Sequence, residues 1–207
     1  MKQKLNYLQQ APLEQSGFTL IELLVVLSIT TLLMGAVILN FNQTRAARSA
    51  IFAQNETVTN IRKVQSYMLS SRNVAENIPA KFYYIKFQVD SKTYTIGGIS
   101  NAFTLYPNIE TVTLPGDVSI SNVGLLSGNT VTSSKCIEVL FASPFGKMFL
   151  NNDPSCSSDL ISITENPITL YTLNDQSMRL TLTPTNGAAS KTIDIHSLTG
   201  RVDANAN

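Results

Sequence analysis

Hydrophobic and polar positions follow three successive regimes along this chain. From Phe18 to Leu39 the residues are almost continuously apolar, with Glu22 as the only charge. A helix of about 22 residues extends roughly 33 Å, enough to cross a hydrocarbon core of roughly 30 Å. Beyond it, Ile51, Val58, Ile61, Val64 and Met68 recur at spacings of three, four or seven, the stripe of an amphipathic helix. Arg45, Arg48, Glu56, Arg62, Lys63 and Arg72 occupy the other faces. No proline interrupts Phe18 to Ile78, and Pro79 supplies a stop signal. The pattern predicts one helix over 18–72, about 55 residues and roughly 80 Å long. Residues 18–39 would be transmembrane and 40–72 amphipathic, packed on a domain. A break near "LNFNQT" into helix plus linker is the alternative; Gly35 weakens the helix locally by about 1 kcal/mol.

After Pro79 the period falls from 3.6 to 2. In "KFYYIKFQV", Tyr83, Ile85, Phe87 and Val89 share one face, with Lys86 and Gln88 opposite. Asp90 to Lys92 is a turn candidate, with "TYTIGGI" as its hairpin partner and "TIGGIS" a bulge or turn. "IETVTL", Pro115-Gly116 and "VSISNV" read as a second strand–turn–strand unit. "CIEVLFA", "LISIT", "ITLYTL", "MRLTLT" and "KTIDIHSL" continue the series between Gly, Pro, Asn and Ser. Many short strands at close spacing predict antiparallel sheets, a small two-sheet sandwich, over a head of residues 73–207. The fold class is α+β: one long N-terminal helix and a β-rich C-terminal head.

Composition alters this picture only in part. Charged residues make up 14% of the chain, below the roughly 25% usual for soluble domains; Ser, Thr and Asn replace them after about residue 90, which suits neutral β structure facing an external medium or a loop-rich domain. The net charge of +1 selects no partner of either sign. A secretory signal is disfavoured, because the apolar run is too long and "MGAVILNFN" makes a poor cleavage site. Lys2 and Lys4 on one side and Arg45 and Arg48 on the other leave the span unoriented by charge. Cys136 and Cys156 lack metal-ligand spacing and His196 is the single histidine, which argues against zinc. The two cysteines are either buried free thiols or, if this region lies outside the cytoplasm, a disulfide closing a loop of about 20 residues. Glu22 stands out: a carboxylate inside a span is costly and marks function.

"GFTLIELLVVLSI" resembles the processing motif of the type IV pilin and pseudopilin superfamily: Gly17, then Phe18, then Glu22 four residues on, then unbroken apolar sequence. The resemblance implies a cytoplasmic leader of residues 1–17 and cleavage between Gly17 and Phe18 by a membrane-embedded prepilin peptidase. It also implies N-methylation of the Phe18 amine, and an orientation with the N-terminus cytoplasmic and the head periplasmic or extracellular in a bacterial inner membrane. Cleavage would leave a positive amine at Phe18, on the same helix face as Glu22. Both charges are expensive in a low-dielectric setting without a partner. In a filament, by the same resemblance, Glu22 of one subunit meets the Phe18 amine of a neighbour and sets axial register. Alternatively, Glu22 only snorkels to the interface. "VLFASPFGKMF" and "MRLTLT…SKTIDIHSLTGRV" are similar to segments of GspH/FimT-type minor pseudopilins, though each is a weak motif.

Other sites are weighed against plainer roles. His196 has Ser and Asp nearby in sequence, but a triad requires convergence in space; a strand histidine is expected. "NNDPSCSSD" offers Asn151, Asn152, Asp153 and Asp159 to calcium but lacks the EF-hand pattern, so a solvated turn is expected and no metal is assigned. From Asn73 onward eight lysines and arginines stand against eleven aspartates and glutamates, a net charge of −3. Nucleic-acid binding is therefore not expected, and the tail "RVDANAN" adds no basic patch. No cofactor and no catalysis are expected. The function expected from the resemblance is a structural minor pseudopilin or pilin subunit of a type II secretion pseudopilus or type IV pilus. Its partners would be other pilin or pseudopilin subunits, the prepilin peptidase and an inner-membrane assembly platform. A pilus-tip adhesin or DNA-uptake receptor on the same anchor is the alternative.

Overall fold

The computed structural model describes residues 17–128, 130–142, 147–153, 156, 177–185, 187, 189–196 and 199–205. The long apolar and amphipathic stretches form one helix, α1 (Leu20–Leu69), which runs unbroken through "LNFNQT". It ends three residues before the sequence-based limit at Arg72. Ser71 takes a left-handed φ of 50°, its N–H donates to the Met68 carbonyl, and the Arg72 N–H donates to the Tyr67 carbonyl. These two bonds form a Schellman cap, which satisfies the last carbonyls locally. The stop is therefore set at Ser71, well before Pro79. The chain divides into two compact units, the second running from Asn42 to Asn207.

Eleven strands occur among the described residues: β1 (Asn73–Ala75), β2 (Ile78–Gln88), β3 (Thr93–Ser100), β4 (Leu105–Thr113), β5 (Val118–Ser127), β6 (Thr130–Ser134), β7 (Cys136–Ala142), β8 (Lys147–Asp153), β9 (Ser177–Pro184), β10 (Lys191–His196) and β11 (Val202–Asn205). They form two sheets in the orders β4-β3-β2-β7-β8, with β1 also paired to β2, and β11-β10-β9-β5-β6. Every pairing is antiparallel. The α+β class and the helix packed on antiparallel sheets are as the sequence pattern requires.

Three local expectations need correction. "IETVTL" and "VSISNV" do not pair: β4 lies in the first sheet and β5 in the second, and the Pro115-Gly116 turn, with Gly116 at φ 66°, carries the chain between them. Asn151, Asn152 and Asp153 belong to β8, with Asp153 opposite Cys136, because the β7 ladder extends that far. "RVDANAN" is not a free tail, since Val202–Asn205 closes the second sheet against β10. "TIGGIS" is strand with a register shift between Ile96 and Gly98. "LISIT", "ITLYTL" and Asp159 lie outside the described residues.

One core joins helix and sheets. Ala53, Val58, Ile61, Val64 and Met68 of α1 pack with Tyr83, Ile85 and Phe87 of β2, Val139 and Phe141 of β7, and Leu180 and Ile193 of the second sheet. β9 alternates strictly, with Met178, Leu180 and Leu182 inward. β2 does not, because Phe82 and Tyr84 on its other face are buried too, in a second cluster with Ile99, Leu140 and Phe149. A strand covered on both faces loses the hydrophobic alternation by which half-buried strands are recognised. Gly97 is what lets Tyr84 lie down on that face: a Cβ there would run into the tyrosine ring.

Candidate functional site

Gly17 and Phe18 are exposed, Phe18 at 82% of its surface. Thr19 caps the helix. Its Oγ1 accepts from the Glu22 N–H at 3.3 Å, while Glu22 Oε2 accepts from the Thr19 N–H at 3.4 Å. This reciprocal pair is a capping box, T-x-x-E, satisfying two of the donors a helix start leaves open. The signal is legible in the sequence, but the apolar run overshadows it. Glu22 is thus placed in the first turn of α1, where the helix dipole also favours a carboxylate. The bonds are long, so Glu22 is only loosely held by its own chain. From Leu20 to Ile38 the apolar side chains are exposed, Leu32 and Met34 among the most so. α1 is long and apolar enough to cross a membrane.

Cys136 and Cys156 form a disulfide, with Cα atoms 5.3 Å apart. It links the start of β7 to the chain beyond β8.

His196 has more company than its own strand suggested. It lies opposite Ser177 across β9–β10, and Ser177 Oγ is 2.8 Å from its Nδ1. On the other side, Nε2 is 3.2 Å from Asp203 Oδ2, whose Oδ1 accepts from Arg201 Nε at 2.7 Å. Serine, histidine and aspartate therefore converge in space. The order is the reverse of a hydrolase triad, where the carboxylate bonds Nδ1 and the serine Nε2. Arg201 also neutralises the carboxylate that would have to stabilise an imidazolium, and it holds the Asp203 carboxyl below the usual carboxylate range, with a smaller contribution from His196. The cluster acts as a clasp across β9, β10 and β11. Sequence alone does not supply it, because the short polar segment that forms β11 carries no strand period.

A second clasp lies on the same face. Arg179 donates to both oxygens of Asp194, from Nε and Nη2 at 2.7 Å each, and Asn205 Nδ2 donates to Oδ2. The Asp194 side chain is 8% exposed, so its charge depends on these bonds. The pairing raises the Arg179 pKa, the hydrogen bond that it donates to Asp194 outweighing burial. On the helix side, Gln54 and Gln65 donate to the carbonyls of Thr192 and Gly200. Tyr94, deep in the core, accepts from Asn60 Nδ2, and burial pushes its hydroxyl pKa up to about 12. Among the described residues no group of three or more His, Cys, Asp or Glu is placed to hold a metal ion.

The helix is long and apolar enough to span a bilayer and follows an exposed Gly-Phe junction. Residues 14–38 match the prokaryotic N-terminal methylation motif. That match supports the type IV pilin and pseudopilin superfamily, whose motif marks structural subunits, and together with the apolar helix it points to membrane anchoring. No curated protein and no solved structure matches the chain.

Proposed function

We propose that this chain is a minor pseudopilin or pilin, most like the GspH/FimT type, serving a type II secretion pseudopilus or a type IV pilus. The carrying observation is the methylation motif over residues 14–38, with Gly17 and Phe18 exposed ahead of the helix cap. A prepilin peptidase removes residues 1–17 on the cytoplasmic face and methylates the new Phe18 amine. The helix then holds the subunit in the inner membrane with its head outside the cytoplasm. An assembly platform moves it into a filament of like subunits. Glu22 is loosely engaged with Thr19 in the single chain and is free to take a neighbour's Phe18 amine on assembly. The work is structural, carried out by packing and register.

Intact-mass measurement on chain extracted from membranes tests the processing step. The expected mass lacks Met1–Gly17 and carries one added methyl group on Phe18. A chain that keeps its leader in a host with an active peptidase overturns the proposal.

A further inference from the structure

Unit two contains a cavity of about 250 Å³ between α1 and the ends of two strands, lined by Arg45, Ser49, Gly116, Asp117 and Thr185. This is room for roughly eight waters at ~30 Å³ apiece. We propose that it is a binding site for a phospholipid head group bearing a primary ammonium, that is, a phosphoethanolamine group, taken from the bilayer.

The lining supplies both halves of that recognition. Arg45 is exposed and its guanidinium makes no ion pair among the described residues, so it is available to a phosphate, which a planar guanidinium binds through two N–H groups. The ammonium half is met by acceptors. The Ser49 hydroxyl donates its proton to the Arg45 carbonyl, and the Thr185 hydroxyl donates to the Asp117 carbonyl. Each hydroxyl oxygen therefore has lone pairs left for a ligand. Asp117 Oδ1 accepts from Lys92 at 3.1 Å, and Oδ2 has no bonded partner among the described residues. Two hydroxyl oxygens and one carboxylate oxygen match the three N–H donors of a primary ammonium. Arg45, Lys92 and Asp117 give the site charges of both signs, as a zwitterionic head group of one phosphodiester and one ammonium requires. Gly116 keeps the cavity open, since a Cβ there would come within 2.9 Å of Ser49 Oγ.

Position along the sequence favours a lipid source. Arg45 follows Phe41, the first large apolar residue after the span, by four residues. In a helix this is about 6 Å, comparable to the ~5–7 Å that each head-group layer adds to the hydrocarbon core. This inference rests on the reading of residues 18–39 as membrane-spanning.

The test uses the full chain purified in detergent with an equimolar mixture of phosphatidylethanolamine and phosphatidylcholine, and native mass spectrometry of the retained lipid. Loss of three N–H donors in the choline head group predicts about tenfold preference for phosphatidylethanolamine. Arg45→Gln should lower retention of both lipids, and Asp117→Asn should remove the preference while keeping phosphate binding. Equal retention of the two lipids by the wild type, or unchanged retention by Arg45→Gln, overturns the proposal. A parallel titration with soluble phosphoethanolamine in lipid-free micelles distinguishes the sources: binding as tight as that of the lipid overturns the bilayer assignment, and much weaker binding supports it. Alkaline carbonate extraction separates the two levels. A chain released from membranes refutes the span itself, while an embedded chain without lipid preference refutes only this site.

Discussion

At the scale of single residues, the capping bonds of Glu22 and its proposed pairing with a neighbouring subunit are roles that substitution can separate. Thr19→Ala removes the cap but leaves the carboxylate, costing about 1 kcal/mol at the helix start, and should leave processing and filament entry near wild type. Glu22→Ala should also be processed and sit stably in the membrane, yet its filament fraction should fall steeply. Truncating one member of a pair in a low-dielectric bundle costs about 3–5 kcal/mol. Comparing sheared filaments with the membrane pool reads this out, and equal incorporation of both variants would reduce Glu22 to a capping residue. Gly97 is the clearest single-residue constraint in the head. Gly97→Ala forces its Cβ into the Tyr84 ring, which is almost fully buried, and should destabilise the fold by about 1–3 kcal/mol in denaturant unfolding. Asp203 sets a pH response. Its folded-state pKa is lowered, chiefly by Arg201, so its stabilising effect is full above the ordinary carboxylate range near pH 4 and is lost as pH falls through the depressed value. Asp203→Asn should lower the melting temperature at pH 7 and narrow the gap from wild type in acid.

Strands impose the next level of constraint, and the second sheet shows it best. Asp194 and Asp203 face each other across β10–β11, a pairing of like charges that disfavours the ladder unless each is neutralised. Arg179 and Asn205 serve the first, Arg201 and His196 the second. Arg179→Met should therefore cost about 3 kcal/mol, toward the lower end of the range for buried pairs because Arg179 is a third exposed. Adding Asp194→Leu should recover much of it, and a double-mutant cycle by chemical unfolding measures the coupling. By contrast Lys63–Glu110, with both side chains more than a third exposed, should matter by about 0–1 kcal/mol. In the first sheet, the Cys136–Cys156 bond closes a 20-residue separation. Its removal should destabilise the oxidised head by about 2–4 kcal/mol. Thiol titration of the folded protein finding two free cysteines would contradict that.

Over the whole molecule, the apolar first half of α1 and the folded core draw on different residues. Among the described residues the first buried position is Ala46, and the unit from Asn42 onward has its own core. A chain beginning at Asn42 should fold as a soluble monomer with mixed helical and β circular dichroism and one cooperative thermal transition. Aggregation or a molten product would mean that residues before Asn42 contribute to the fold.

The apolar run, the helix stripe and the candidate processing junction are legible from local chemistry, because each is written in contiguous residues: an apolar run, a period of 3.6, a glycine before an aromatic and an isolated glutamate. Most strands could be read for the same reason. What the sequence left open depends on partners far along the chain. The helix stop moved to Ser71 because capping bonds close within the last turn, ahead of any proline. The polar end of β8, Asn151 to Asp153, and β11 exist as strand because neighbouring strands offer unpaired backbone to short polar segments whose own pattern has no period. β4 and β5, adjacent in sequence, part into different sheets because each finds its ladder elsewhere. Ser177, His196 and Asp203 meet only through strand register, and Arg45 reaches Asp117 and Thr185 across one cavity only because the helix packs against the ends of β5 and β9. Hydrophobic periodicity reports which face a residue turns inward, whereas pairing between distant strands decides which side chains then stand together.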